Sequence, residues 1–517
     1  MDSSEIHRQL LDPATYPEPT GSVSFRETHI SRVYLTDNHA YKLKKALNLG
    51  FLDFSTLARR HFFCLEEIRL NRRFAPQTYL GIAELRIDQG RLRFNGPGEL
   101  VDYAVLMQRL PENRMLDHLL DISSPELPEE IERLARHLPS LFLAAPICRD
   151  EVPGGNAAVV RTNCEENHRQ TEAAIGHALS MDAQRLMVRL NSDLLEELTP
   201  LFRRREASGF VRDGHGDLHA RNICMTDPVQ VYDCIEFSRR FRVADIAADL
   251  AFLLMDLDFR GRKDLARKLL DTYVHCAPDP DLSALLPFYK SYRAWVRGKV
   301  ESILAGEKDA DTATRKQALA LSRRYFNLAL GYHAPPLLLM TTGLMGVGKS
   351  TLAHAVATAL GGELLRSDVI RKELAGIPPE RHQADAYGQG LYTSTMTAAT
   401  YAELQQRARR LLARGETVVV DASFARQAER QRFLDLAAAL GRPAWLLHVH
   451  CDRATAVARL DRRLAEGRDA SDGRRELVQA QADNFEELPA VPRLIEIDSS
   501  DEVDYNVQKI VCRVLTT

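Results

Sequence analysis

The run Gly343-Leu344-Met345-Gly346-Val347-Gly348-Lys349-Ser350-Thr351 restricts the fold of this chain more than any other stretch. A short apolar segment, Leu337 to Thr341, precedes it and reads as a buried strand; a helical pattern from Leu352 to Leu360 follows. A strand, a glycine loop and a helix in that order set backbone N–H groups around an anion at the positive end of the helix. Glycine permits both the turn and the close approach of backbone to phosphate. In this context the loop from Gly343 to Thr351 is expected to bind the phosphates of ATP. Lys349 would neutralise β/γ oxygens, and Ser350 would take a Mg2+ coordination position. Further strands are expected at Glu363–Arg366, Thr417–Asp421, Trp445–His450 and Leu494–Ile497, with helices between them. Apolar strands alternating with helices predict an α/β domain with a mainly parallel sheet.

Residues downstream of the loop indicate the chemistry. Asp368, in Arg366-Ser367-Asp368-Val-Ile-Arg371, follows a strand end, where side chains reach the ligand crevice of such a sheet. It is a candidate to accept a proton from an attacking hydroxyl, with Arg371 as a clamp on acceptor or phosphate. Val418-Val-Val-Asp421 is an apolar strand ending in an acid, which is expected to support Mg2+. Arg459, Arg462 and Arg463 share a predicted helix, Ala454 to Gly467, with Arg468 and Asp472 just beyond. They are expected either to close over the γ-phosphate as a lid or to form a solvated face. Over residues 337–517 this combination resembles the small P-loop kinases that include polynucleotide kinase, gluconate kinase and the zeta-toxin group. No glutamate adjoins Asp421 to polarise a hydrolytic water, so transfer to a hydroxyl is preferred to coupled ATP hydrolysis.

A second signature lies far upstream, at His215-Gly-Asp217-Leu-His-Ala-Arg-Asn222, with Val231-Tyr-Asp233 following. An acid and an amide five residues apart on one loop can address an acceptor and a metal, with a second acid on the next strand. The pattern resembles the catalytic core of the aminoglycoside phosphotransferase and choline-kinase families. That resemblance implies that Asp217 orients or deprotonates the acceptor hydroxyl while Asn222 and Asp233 hold Mg2+; His215 is expected to brace the loop. Strands within Val23–Leu47, a helix from Ser55 to Phe74, and strands at Tyr79–Ile87, Arg91–Phe94 and Tyr103–Gln108 resemble a small nucleotide-binding lobe. Lys42 and Lys44 share one face of a strand, so either could reach phosphates; taken singly, each reads as an exposed edge-strand charge. The family pattern favours Lys42 with Glu67 as ion-pair partner, and leaves Lys44 with Glu66 as the alternative. Asp245 and Asp249 lie one helical turn apart, and the resemblance implies that Asp249 ties its helix to the catalytic loop. Glu27-Thr28-His29-Ile30-Ser31 stands where a glycine-rich loop would be expected. Helices are expected from Met115 to His137, from Ala174 to Glu206 and from Ala244 to Tyr332, with a periodic segment from Glu301 to Tyr332. No acid-rich cluster suited to a polycationic antibiotic is evident, so aminoglycoside modification does not follow from the resemblance.

Composition bounds the rest. A chain of 517 residues is too long for one core. Gly331 and Pro335-Pro336 suggest a division into 1–332, an α+β bilobal kinase-like domain, and 333–517, an α/β P-loop domain. The formal charge of −3 gives no general attraction to polyanions. The expected partners are therefore ATP and a hydroxyl-bearing small molecule, with a nucleic-acid 5′-hydroxyl as the less favoured acceptor. A ligand-sensing protein with one inactive kinase-like half is the alternative from another class. The first residues do not read as a signal peptide, no apolar run reaches the length of a membrane span, and the scattered cysteines suit a reducing cytoplasm. The whole resembles bacterial two-domain proteins that pair an aminoglycoside-phosphotransferase-like domain with a P-loop kinase domain.

Overall fold

The computed structural model describes residues 3–48, 52–149, 155–307, 310–378, 389–466, 475–488 and 493–516. It forms two compact units: Met1–Asn163 with Leu195–Lys290, and Cys164–Leu194 with Ser291–Thr517. Among the described residues no helix is long and apolar enough to cross a membrane.

The first unit opens with α1 (Ser3–Leu10), β1 (Ser24–Glu27), β2 (Ser31–Leu35), β3 (His39–Lys44), α2 (Leu57–Asn71), β4 (Tyr79–Asp88), β5 (Arg91–Phe94) and β6 (Glu99–Gln108). The strands make one antiparallel sheet in the order β1-β2-β3-β6-β4-β5. Strand β3 is therefore interior, pairing Lys42 with Val33 on one side and with Val105 on the other. This corrects the reading of its lysines as edge charges: both are buried. Alternation along β3 explains their common direction. Tyr41 and Leu43 fill one face with Tyr34, Leu85 and Phe94, so Lys42 and Lys44 turn to the other. On that face Cys64 and Ile68 of α2 pack with Ala40, Val105 and Met107. The helix starts where the Thr56 hydroxyl accepts the Arg59 N–H at 3.3 Å.

The chain continues through α3 (Leu116–Asp121), α4 (Leu127–Ala144), α5 (Gly155–Gln170), α6 (Met181–Ala207), β7 (Val211–Asp213), β8 (Ile223–Cys224), β9 (Gln230–Val231), α7 (Arg239–Arg242), β10 (Val243–Asp245), α8 (Ile246–Phe259), α9 (Lys263–Cys276), α10 (Leu282–Gly306) and α11 (Thr312–Gly331). Helix α5 has no counterpart in the sequence reading, because its polar sequence GNAAVVRTNCEENHRQ shows little apolar periodicity. The segment Glu301–Tyr332 is two helices. Asp311 starts the second by accepting the N–H groups of Ala313 and Thr314 at 2.8 and 3.0 Å.

The second unit then alternates: β11 (Leu338–Thr342), α12 (Lys349–Ala359), β12 (Glu363–Arg366), α13 (Ser367–Leu374), α14 (Ser394–Ala413), β13 (Val418–Asp421), α15 (Gln427–Ala439), β14 (Ala444–His450), α16 (Arg453–Glu466), α17 (Val478–Asp483), β15 (Leu494–Asp498) and α18 (Val503–Leu515). Its five strands are parallel in the order β12-β13-β11-β14-β15. An α+β unit followed by an α/β unit with a parallel sheet is the architecture expected from the sequence. Strand β11 is central and wholly buried, with Leu338 opposite both Val418 and Ala444. One face packs Leu338, Met340, Val418 and Val420 against Leu404 and Leu436. The loop after β11 thus opens at the carboxyl ends of the strands, where parallel sheets bind ligands. Helix α12 begins at Lys349, three residues before the apolar pattern, since that pattern marks only the buried side of the helix.

Candidate phosphoryl-transfer sites

In the second unit the glycine loop has backbone geometry that side chains oppose. Gly343, Gly346 and Gly348 have φ of 137°, 81° and 95°. A Cβ on Gly343 would lie 2.3 Å from the Val449 carbonyl oxygen, and one on Gly346 2.6 Å from that of Ala456. Both positions therefore require glycine for conformation and for space. Lys349 is half-buried and its Nζ donates to the Leu344 carbonyl at 2.6 Å. Burial lowers its pKa to about 8, against the pull of Asp421 and Asp368. Asp421, at the end of β13, is buried and its carboxyl is pushed up by desolvation, while the Ser350 hydroxyl bond and the Lys349 charge oppose that shift. Arg366 Nε reaches Asp421 Oδ2 at 3.3 Å. A hydroxyl and one carboxylate beside a phosphate cradle fit Mg2+, which takes few protein oxygens and completes its shell with phosphate and water.

Asp368 and Arg371 lie three residues apart on α13, with Arg371 Nη1 donating to Asp368 Oδ1 at 3.0 Å. The Arg371 guanidinium stacks 4.7 Å from the Tyr392 ring centroid, and its Nε is buried without a hydrogen bond among the described residues. Arg459 of α16 donates to the Val347 carbonyl at 3.3 Å, the Ser499 hydroxyl at 2.8 Å and the Ser499 carbonyl at 2.7 Å. Arg459 thereby meets the glycine loop. Arg462 is exposed, and Arg463 is half-buried and acts on Lys349 through its charge. Arg468 and Asp472 lie outside the described residues. Sequence reasoning missed Gln481 of α17, whose Oε1 accepts the Met345 N–H at 2.7 Å. No local pattern marks a glutamine that arrives from 136 residues away.

In the first unit β3 and α2 place Lys42 and Lys44 on one glutamate. Glu67 accepts Lys42 Nζ at 2.8 Å and Lys44 Nζ at 2.6 Å. Lys42 also bonds Asp233, and Lys44 bonds Glu236. Glu67 is fully buried; the two lysines outweigh its desolvation and hold its carboxyl well below the usual range. Glu66, the alternative partner, faces outward and pairs with Arg69 at 2.7 Å. The Lys42 side of this network is the one that reaches the predicted metal acid. Asp233 sits at φ 63°, a strained conformation for a non-glycine residue, with its N–H on the Tyr79 hydroxyl at 3.0 Å.

The loop from His215 to Asn222 is held by α8. Asp249 accepts the His215 and Gly216 N–H groups at 2.8 and 3.0 Å, and Asp256 accepts that of Ala220 at 2.9 Å. His215 is buried; burial lowers its pKa, and Nε2 bonds the Tyr232 carbonyl oxygen at 3.0 Å. Asn222 Nδ2 donates to the Asp217 carbonyl at 3.0 Å and to its carboxylate at 3.3 Å. Asp217 and Asn222 thus come together on one loop, with His219 Nε2 3.4 Å from the Asp217 carboxylate. Asp256 and Glu236 are not among the site residues expected from the sequence. Asp256 had a signal, because residues seven apart on a helix share a face. In the first turn, the Thr28 hydroxyl accepts the Ser31 N–H at 3.0 Å, closing a short hydroxyl-capped turn between β1 and β2.

A family model described as an AAA domain matches residues 338–488, the glycine-loop part of the chain. Among solved structures, a gluconokinase from Sinorhizobium meliloti 1021 is 21% identical, with 35% of this chain and 92% of that one covered and a TM-score of 0.26. The GDP complex of aminoglycoside 2′-phosphotransferase-IIIa is 13% identical, with 63% of this chain and 99% of that one covered and a TM-score of 0.39. Relatives of far greater similarity are two mycobacterial proteins, each 31% identical over 405 residues that make up 78% of either chain. By that match the chain belongs to the family of the uncharacterized proteins Rv2004c of Mycobacterium tuberculosis and Mb2027c of Mycobacterium bovis.

Proposed function

We propose that the chain is an ATP- and Mg2+-dependent phosphotransferase that phosphorylates a hydroxyl of a small molecule. The observation that carries this reading is the convergence of Lys349, Asp421 and Asp368 from three segments of the second unit, with the Ser350 hydroxyl on Asp421. The glycine loop and Lys349 would hold the β/γ-phosphates. Bound Mg2+ would neutralise phosphate oxygens beside Ser350 and Asp421. Asp368 would accept the proton of the acceptor hydroxyl, with Arg371 fixing its direction and Arg459 shielding the loop. In the first unit Lys42, paired to Glu67, would meet the nucleotide phosphates. Asn222 and Asp233 would hold metal there, and Asp217 would orient a second acceptor. The division at 332/333 is proposed as the boundary between these two activities.

Radiolabelled ATP incubated with the full chain and metabolite pools tests the proposal. Transfer of label to a small molecule is expected, with Lys349→Ala losing nucleotide binding at the glycine loop and Asp217→Ala ending only transfer by the first unit. Binding without transfer to any pool would replace the enzyme by a sensor. Full turnover in both variants would reject both site assignments.

A further inference from the structure

A cavity of about 810 Å³ in the second unit lies apart from the glycine loop. Its walls come from the start of α6, from α18 and from the first residues of β15. Arg185 and Arg189 stand one turn apart on α6, and Lys509 and Arg513 one turn apart on α18. These two helical segments are more than three hundred residues apart in sequence but are tied together, since the Ser180 N–H donates to Gln508 Oε1 at 2.7 Å. Arg185 and Arg189 make no ion pair among the described residues. Lys509 spends one N–H on the Glu496 carbonyl at 2.9 Å and has two more to offer.

Neither acid on the walls pairs with Arg185, Arg189 or Lys509 among the described residues. Glu496 bonds His448 Nδ1 at 2.7 Å, and Asp182 occupies the first turn of α6, where helix N–H groups already favour negative charge. Arg185, Arg189 and Lys509 around one hollow repel one another, and a multivalent anion relieves that repulsion. The volume falls within the roughly 300–1,000 Å³ of small-molecule sites. Tyr505, 55% exposed, adds an aromatic face at the same cavity. A solvated charged face, the ordinary explanation of surface arginines, does not bring two basic rows from distant helices to one concavity.

We propose that this cavity binds a small molecule carrying two or more closely spaced phosphate groups. It is separate from the nucleotide site: the cavity is lined by Leu494 to Glu496 at the start of β15, whereas Ser499, just past its other end, meets Arg459 beside the glycine loop. The proposal does not depend on the phosphotransferase reading.

Calorimetric titration of the full chain carrying Lys349→Ala, with inorganic tripolyphosphate and with ADP as separate probes, distinguishes a phosphate-only ligand from a nucleotide. Binding of either probe is expected, weakened about tenfold or more by Arg185→Ala with Arg189→Ala, and likewise by Lys509→Ala with Arg513→Ala. The side chains are exposed, so circular dichroism should not change. In the unaltered chain, tripolyphosphate should protect Lys509 from acetylation, read by mass spectrometry; this arm needs no variant to fold. Undiminished affinity in both double variants, or unprotected Lys509 at saturating probe, overturns the site. So does a short single-stranded oligonucleotide that binds through these four residues while both small probes fail, which would assign the face to nucleic acid.

Discussion

Lys349 combines partial burial with a charge that its neighbours only partly stabilise. Desolvation holds its pKa near 8, so the free protein carries a partly neutral amine in mildly alkaline solution. Phosphate oxygens beside Nζ favour the ammonium form and raise the pKa again. Nucleotide binding should therefore take up a proton above about pH 8, and affinity should fall as pH rises through that value. Calorimetry in buffers of different ionisation enthalpy measures the uptake; a binding heat independent of buffer at pH 9 would contradict it. The folding linkage runs in the opposite direction to that of a paired lysine. Because the folded pKa is depressed, the unfolded chain binds more protons between about 8 and 10.5, so this residue's contribution to stability becomes more favourable as pH rises across that interval. Local sequence made Lys349 and Asp421 readable, since each sits at a fixed place in a strand-loop-helix or strand-end pattern. Gln481 and Glu236 depend on tertiary approach, and no spacing along the chain announces that. Lys42 and Lys44 were ambiguous for a related reason: alternation assigns them one face of a strand but cannot say whether that face is covered. Helix α2 covers it, and Glu67 accepts both.

Elements were legible where one face carries the apolar signal. The central strands β11, β13 and β14 of the parallel sheet are mainly apolar runs, and β15 alternates. The buried side of α12 was legible but its first turn was not, because the polar Lys349, Ser350 and Thr351 break apolar periodicity. Helix α5 lacks the signal altogether. Gly331 illustrates a different limit. As a sequence feature it reads as punctuation, yet it remains within α11, and its lack of a side chain serves packing. A Cβ there would lie 1.8 Å from the Ala359 carbonyl oxygen at the end of α12. Backbone cannot yield as a flexible side chain would, so Gly331→Ala should force α11 and α12 apart. A loss of about 1–3 kcal/mol is expected from such overpacking, despite alanine's better helix propensity. Urea unfolding of the variant measures it. A midpoint at or above that of the parent would mean that the helix pair shifts without strain.

At the scale of the whole molecule, the units do not coincide with the stretches that the motifs delimit. Helix α11 and residues 164–194 belong to the compact unit that contains the parallel sheet. The bonds that join them are specific. Asn327 donates to the Asp504 carbonyl at 2.8 Å and accepts Gln508 Nε2 at 3.3 Å, while Gln508 holds the Ser180 N–H and Arg323 pairs with Glu502. All of these attach to α18 or the turn before it, whose Val507, Ile510 and Val511 are buried. A fragment cut at 333 would keep every residue of the glycine loop and lose all of these partners. It would also expose the side of α12 and α18 against which α11 packs. The isolated 333–517 fragment is therefore expected to unfold at lower urea than the same region in the full chain, and to aggregate more readily. A fragment from 291 that retains α11 should recover part of the difference. Tryptophan fluorescence is a suitable probe, because Trp445 is buried in β14 of this unit. If both fragments unfolded at the same urea concentration as the full chain, α11 would be a passive tether, and the boundary suggested by Pro335-Pro336 would also be the boundary of stability.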